Sequence, residues 1–344
     1  MSLSVKDTLQ SLGYKLSDRG KYWQTNAMFR DGDNRTALQI YKDTGVWKDY
    51  VQDTKFMKFE ALVKKTLGTN NQSIIQQYIK HQVDDTSAPA QERSEKIVME
   101  EIFDNDILKK LLPHYKFYNQ RGISDSTLKF FMGGFATYGQ MNKRFVFPIF
   151  NEHRQIHGFA GRDMTSSDSR PKWKHIGRKS TWLYPAFVGN TADVIADKGE
   201  VILVESIGDM LALYENGIKN VLVTFGLDVS PKLICYLSGI GLEKITLSFN
   251  NDLQKKDNRG LNSCVKNYLK LLGHFDASFL RICLPNKNDF GDMEEKDFTK
   301  WTDKLSSLDQ EEQRLYIIKC ARLLFKKGSL SKNLMKNLKY INEQ

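Results

Sequence analysis

Cysteine and histidine are scarce where a small metal-held module would need them. Four cysteines, Cys235, Cys264, Cys283 and Cys320, lie far apart and never form a Cys-x-x-Cys pair. That spacing argues against a disulfide framework or a zinc site and reads as buried thiols. No cysteine or histidine precedes His81, so any fold ahead of it stands without zinc. Long apolar runs are missing too. None reaches the roughly 20 residues that cross a bilayer, and Met1 to Asp18 lacks a signal peptide's hydrophobic stretch. These absences predict a cytoplasmic chain with no membrane contact. There is no Walker A loop: Ile176-Gly177-Arg178-Lys179-Ser180-Thr181 lacks the leading glycine and the loop length, so no helicase motor is expected here. No internal repeat is visible.

With 344 residues, 40% of them hydrophobic, the chain can build two or three domains with real cores. Its net charge of +10 is unevenly spread: residues 140 to 180 hold nine Lys and Arg against three Asp and Glu. Phosphate contacts dominate affinity for nucleic acid, and the rings of Phe145, Phe147, Phe159 and Trp173, interleaved with those cations, suit base stacking. A solvated basic face over a hydrophobic core is the other reading, and charge alone leaves both open.

In the last third, short apolar runs read as buried strands: Val201 to Val204, Val221 to Thr224, Ile245 to Phe249 and Phe279 to Leu284. Helical patterns such as Gly208 to Tyr214 and Leu261 to Leu272 lie between them, and that alternation predicts an α/β fold with a parallel sheet. Three acids, Glu205, Asp252 and Asp289, each follow a run within a few residues. Ligands of open α/β sheets gather beyond the strands' carboxyl ends, where these acids would meet. Clustered carboxylates repel one another, and a hard cation such as magnesium suits the space among them.

These residues carry a resemblance. Val-Glu-Ser-Ile-Gly-Asp-Met at 204 to 210 resembles the opening motif of TOPRIM domains, Asn250-Asn251-Asp252 resembles their Asp-x-Asp motif, and Leu284 to Asp289 resembles their last acidic loop. Phe225-Gly226 is similar to their Gly-ending turn. Upstream, Tyr118 to Ser124, Lys143 to Ile149, Gly158 to Arg162 and Pro171-Lys172-Trp173 resemble the basic catalytic subdomain of bacterial DnaG-type DNA primases. The likeness runs from about residue 115 to 293. It implies an α+β chain in which a basic subdomain faces a TOPRIM sheet across a groove. The implied activity is synthesis of short RNA primers on a single-stranded DNA template from ribonucleoside triphosphates, with two or more Mg2+ or Mn2+ ions and a replicative helicase as partner. Stand-alone primases of tailed bacteriophages are similar in lacking a fused motor, an analogy that would put the chain in the cytoplasm of an infected bacterium.

By that resemblance Glu205 is the metal-linked catalytic carboxylate, Asn250, Asp252 and Asp289 are further ligands, and Asp209 orients or coordinates. Arg144, Arg162, Lys172 and Lys174 would hold nucleotide phosphates or template, with Asn119 and Arg121 in the same groove. Two departures stand out. Asn250 replaces the first acid of its motif and removes a unit of charge, which Asp257 in the insertion Leu253 to Asn258 would restore. Ser206 replaces a Gly, which matters if the backbone there needs positive φ. Two other classes compete: a non-catalytic single-strand-binding replication subunit, and a TOPRIM nuclease or topoisomerase-like enzyme.

The expected layout is a β-rich module at 1–68, a helical and polar linker at 69–96, the basic subdomain at 97–198, the TOPRIM sheet at 199–293 and basic helices at 294–344. The first module looks like a zinc ribbon whose ligands are gone. Its expected core is Trp23, Phe29, Leu38, Ile40, Trp47, Phe56 and Leu62, with Tyr22, Arg30, Arg35, Lys42 and Lys48 free to meet a single strand. From Lys319 onward seven Lys and Arg face a single Glu343.

Overall fold

The computed structural model describes residues 4–51, 56–79, 101–165, 170–252 and 257–342. The chain forms two compact units, Met1–Val98 and Met99–Gln344. The polar stretch Gln82 to Lys96, expected as linker, lies outside the described residues.

The first unit is an antiparallel sheet with three helices: α1 (Val5–Ser11), β1 (Ser17–Asp18), β2 (Tyr22–Thr25), β3 (Leu38–Tyr41), β4 (Trp47–Asp49), α2 (Phe59–Leu67) and α3 (Gln72–Ile79). Its register sets Trp23 opposite Ile40 and Ile40 opposite Trp47. That places both tryptophans in the core, where Leu38, Leu62 and Ile75 are also fully buried. Trp47 Nε1 donates to the Lys58 carbonyl, so its one polar atom is satisfied inside. Because α3 packs through Ile75, the module extends past residue 68. Two expectations fail here. Phe56 is 43% exposed rather than core, and Arg30 is no free cation, since its guanidinium grips Asp49 with two hydrogen bonds of 2.7 and 3.0 Å.

The second unit begins with a 3-10 turn at Asn105–Lys110, then α4 (Lys116–Asn119) and α5 (Asp125–Phe130). An antiparallel sheet follows, in the order β5 (Gly134–Ala136), β6 (Arg144–Phe150), β7 (Ile156–Asp163) and β8 (Trp173–Gly177). After α6 (Thr191–Lys198) come β9 (Glu200–Val204), α7 (Ile207–Glu215), β10 (Val221–Val223), α8 (Pro231–Gly239), β11 (Lys244–Leu247), α9 (Arg259–Leu271) and β12 (Leu280–Ile282). These strands pair in parallel in the order β10-β9-β11-β12. They are the four apolar runs, with one or both ends of each shifted by one or two residues, and their near-continuous burial is what a sheet covered on both faces requires.

Going from β9 to β10 moves the chain to one side and from β10 to β11 to the other, so the strand order reverses at the carboxyl end of β9. Such a reversal opens a crevice, and Glu205 is the first residue past it. The two sheets share one core in which Phe131, Phe145 and Tyr184 join Ile207, Met210 and Val223. A bridge from Val223 N to the Tyr184 carbonyl, 2.8 Å, and two hydrogen bonds from Ser124 to Glu215 hold the sheets in fixed relation.

The expected separate tail is part of this unit: α10 (Glu295–Ser306), α11 (Gln310–Lys326), α12 (Lys332–Lys336) and α13 (Lys339–Asn342). Trp301 packs on Phe290, while Ile317, Ala321 and Leu324 bury against the far side of the parallel sheet. Cys264 and Cys283 are buried as expected, but Cys235 is exposed and Cys320 half-buried. Among the described residues no helix is long and apolar enough to cross a membrane.

Candidate active site

Four acids gather beyond the carboxyl ends of β9, β11 and β12. Glu205 is held through its backbone, whose carbonyl accepts from Gly226 N at 3.1 Å. Gly226 has φ +140°, a conformation open to glycine and strained for other residues, which accounts for the Gly-ending turn after β10. Burial pushes the Glu205 carboxyl up to about 7, and Asp209 and Asp252 add to the rise.

Ser206 has φ −136°, so no glycine is required there and the anticipated strain is absent. Instead Ser206 caps α7. Its N–H and Oγ donate to Asp209 Oδ2 at 3.1 and 2.7 Å, and its Oγ accepts from Asp209 N, forming a capping box. The second oxygen of Asp209 accepts from Phe290 N at 3.3 Å, tying α7 to the loop after β12. Burial raises the Asp209 pKa to about 6, with Asp289 contributing. Asp289 caps the 3-10 turn Phe290–Asp292 through Asp292 N, 3.0 Å away, and burial raises its pKa as well.

The loop after β11 is laced to the loop after β12: Asn251 N donates to the Asn288 carbonyl at 2.7 Å and Asn251 Nδ2 to the Pro285 carbonyl at 2.9 Å. Gly260 at the start of α9 presses on this loop so closely that an added Cβ would collide with the Asn250 carbonyl oxygen. Asp252 is 8% exposed, with Arg259 Nε 4.0 Å from its Oδ2. Asp257 does not restore the charge missing at Asn250, because it accepts from Asn262 Nδ2 and lies 3.9 Å from Lys327 Nζ. Residues 253–256 of that insertion lie outside the described residues.

Among the described residues no three His, Cys, Asp or Glu side chains stand close enough to close on a metal ion. In donor chemistry the cluster nonetheless fits a hard divalent cation. Its charged groups are carboxylates, and Glu205, Asp209 and Asp289 are all held above their ordinary carboxylate range by burial and by neighbouring acids.

Across a cavity of about 170 Å3 stands a basic, aromatic wall. Phe117, Tyr118, Arg121, Arg162, Lys172 and Trp173 line one side, and Ser206, Gly208, Asp209, Asp289, Gly291 and Asp292 the other. Strand register puts Arg162 directly opposite Trp173, and its guanidinium lies 5.8 Å from that ring and 5.5 Å from Phe117. Arg121 stacks on Phe117 at 3.6 Å. Such contacts fix the planes of flexible cations. Burial and the neighbouring Arg162 lower the Lys172 pKa, while Asp289, Asp209 and Glu205 act to raise it.

Three expected contacts are elsewhere. Arg144 is 2% exposed and spends its donors on the Gly161 and Pro171 carbonyls, opposite Asp163 in the β6–β7 register, so it braces the sheet from inside. Lys174 donates to the Gln140 carbonyl, and Asn119 closes a turn onto Ile123 O and Asp125. Phe117, Tyr118 and Arg259 belong to the site without having been assigned a role. Tyr118 places at the cavity wall a buried hydroxyl that has no hydrogen-bond partner among the described residues. Arg259 carried one readable sign: a cation in the first turn of a helix opposes the helix dipole and calls for acids nearby.

No family model matches the chain. It is similar to the DNA primases of Staphylococcus aureus strain MSSA476, 29% identical over 123 residues, and of Clostridium acetobutylicum, 30% over 125 residues. Each match covers 34% of this chain and 20% of the relative, so the likeness spans about a fifth of those proteins. Among solved structures, the RNA polymerase domain of Mycobacterium tuberculosis primase DnaG aligns over 61% of this chain and 79% of its own at 14% identity, TM-score 0.48. The Aquifex aeolicus primase, with its zinc-binding and RNA polymerase domains, aligns over 100% and 97% at 15% identity, TM-score 0.45. Likenesses at that level carry no argument about function.

Proposed function

We propose that this chain is a DNA primase, joining ribonucleotides into short primers on single-stranded DNA. The observation that carries the reading is the cavity with two unlike walls, Asp209, Asp289 and Asp292 on one side and ring-stacked arginines on the other, with Glu205 and Asp252 behind the acidic wall. Similarity to curated DNA primases over about a third of the chain supports it.

Arg162 and Lys172 would hold the triphosphate, and Arg121 the template or the primer end. Phe117 and Trp173 keep the arginine planes facing the cavity and offer faces for bases. Glu205, Asp252 and Asp289, with the neutral oxygen of Asn250, would hold Mg2+ or Mn2+. Asp209, with both oxygens engaged by the protein, orients the loops that carry them. Bound there, divalent ions would lower the pKa of the attacking hydroxyl and neutralise charge on the triphosphate. A replicative helicase as partner and a cytoplasmic location belong to the same proposal.

A second reading, a non-catalytic subunit that binds single strands, draws on Asn250 and on acids that do not close around an ion. Incubating the protein with labelled ribonucleotides, single-stranded DNA and Mg2+ or Mn2+ separates the two. Short products that disappear with a chelator support the primase. Tight DNA binding without product under either ion supports the binding subunit.

A further inference from the structure

The acid cluster has two dissimilar ends. Asp209 and Asp289 border the cavity, while Asp252 and Glu205 interact with Arg259 at the start of α9. At that second end Asn250 contributes no charge and Asp257 is turned toward Asn262 and Lys327. Arg259, the first residue of α9, enters there with its Nε 4.0 Å from Asp252 Oδ2. That Nε is buried and, among the described residues, has no hydrogen-bond partner, so Asp252 acts on it through charge. Glu205 feels the same cation. The start of α9 packs hard against the loop after β11, with Gly260 on the Asn250 backbone, and this close approach puts Arg259 beside Asp252. A positive side chain at a helix N-terminus is unfavourable in itself, and here the neighbouring acids offset that cost.

We propose that Arg259 is a built-in cation of the acid cluster, supplying at the Glu205 and Asp252 end part of the positive charge that divalent ions would otherwise bring. This rests on the reading of the cluster as a divalent-cation site. It makes Arg259 a positioning residue that competes with metal: the protein takes up divalent ions more weakly than its acids alone would, and Asn250 and Arg259 act in the same direction.

The test is Mn2+ binding to the whole protein, followed by electron paramagnetic resonance of the free ion, with thermal melts to check folding. Arg259→Gln keeps most of the stem and removes the charge, whereas Arg259→Lys keeps the charge. The expected result is Mn2+ binding about tenfold tighter, or one additional ion, in Arg259→Gln, near wild-type behaviour in Arg259→Lys, and a similar gain in Asn250→Asp. Unchanged or weaker binding in a folded Arg259→Gln, with wild type binding normally, overturns the role of Arg259 and leaves the metal site standing. Failure of wild type and every variant to bind Mn2+ overturns the cation-site reading together with this inference. Normal Mn2+ binding with no primer synthesis overturns the proposed activity alone.

Discussion

Single residues divide the site into groups that hold it and groups that use it. Arg144 and Arg162 look alike in the sequence, two cations on neighbouring strands of a basic segment, yet they should behave oppositely. Replacing Arg144 by Ala leaves the Gly161 and Pro171 carbonyls without their donors and removes the buried cation 3.8 Å from Asp163, at a cost of about 3 kcal/mol in denaturant unfolding. Arg162→Ala should leave unfolding within about 0.5 kcal/mol of wild type while lowering affinity for DNA or nucleotide. Gly260→Ala should cost about 3 kcal/mol, because a backbone oxygen stands where the Cβ would go. The pH dependence follows from Glu205 and Asp209, whose folded pKa values of about 7 and about 6 lie above those of the unfolded chain. Their stabilising contribution is complete below the ordinary carboxylate values of 4.5 and 3.8 and is lost as pH rises from there through 6 and 7, so in chelator the melting temperature should fall over that window. Mg2+ should restore it most at pH 8. A metal-free melt that rises with pH across the window contradicts the assignment.

At the level of elements, the parallel sheet was legible because continuous apolar runs bounded by polar turns have few other solutions, and the acids at their ends came with it. The capping box at Ser206 and Asp209 was readable only as an Asp in a helix's first turn; that it also reaches Phe290 depends on a loop eighty residues on. The antiparallel sheet was less legible. Whether a cation on such a strand faces solvent or core turns on register, and register put Arg144 opposite Asp163 but Arg162 opposite Trp173. The N-terminal sheet repeats the lesson. Its tryptophans read correctly as core, whereas Phe56 emerges with Tyr50 beside the Lys48 ammonium, which lies 5.4 and 4.8 Å from their rings. That exposed face suits a single strand. Tyr50→Ala combined with Phe56→Ala should weaken single-stranded DNA binding several-fold at unchanged melting temperature, and Trp47→Ala should unfold the module by about 3 to 5 kcal/mol. Unaltered binding in the double variant would assign the template to the catalytic unit alone.

For the molecule as a whole, a net charge of +10, with Arg121, Arg162 and Lys172 lining one cavity, predicts affinity governed by salt. Lys172→Ala should lower affinity evenly across DNA sequences and reduce the slope of log affinity against log salt by about one. The tail from Lys319 read as a separate basic element from its charge, but its apolar residues, Ala321, Leu324, Leu330 and Ile341, are built into the core of the second unit. Charge was visible there and packing was not, because a short amphipathic helix does not announce which surface it covers. In the proposed primase, acids at the strand ends perform the chemistry while the facing wall binds. Glu205→Gln tests it most directly, with primer synthesis, DNA affinity and melting temperature measured on one preparation. Loss of synthesis with DNA affinity and fold retained is the expected result. Synthesis at wild-type rates in Glu205→Gln would contradict it.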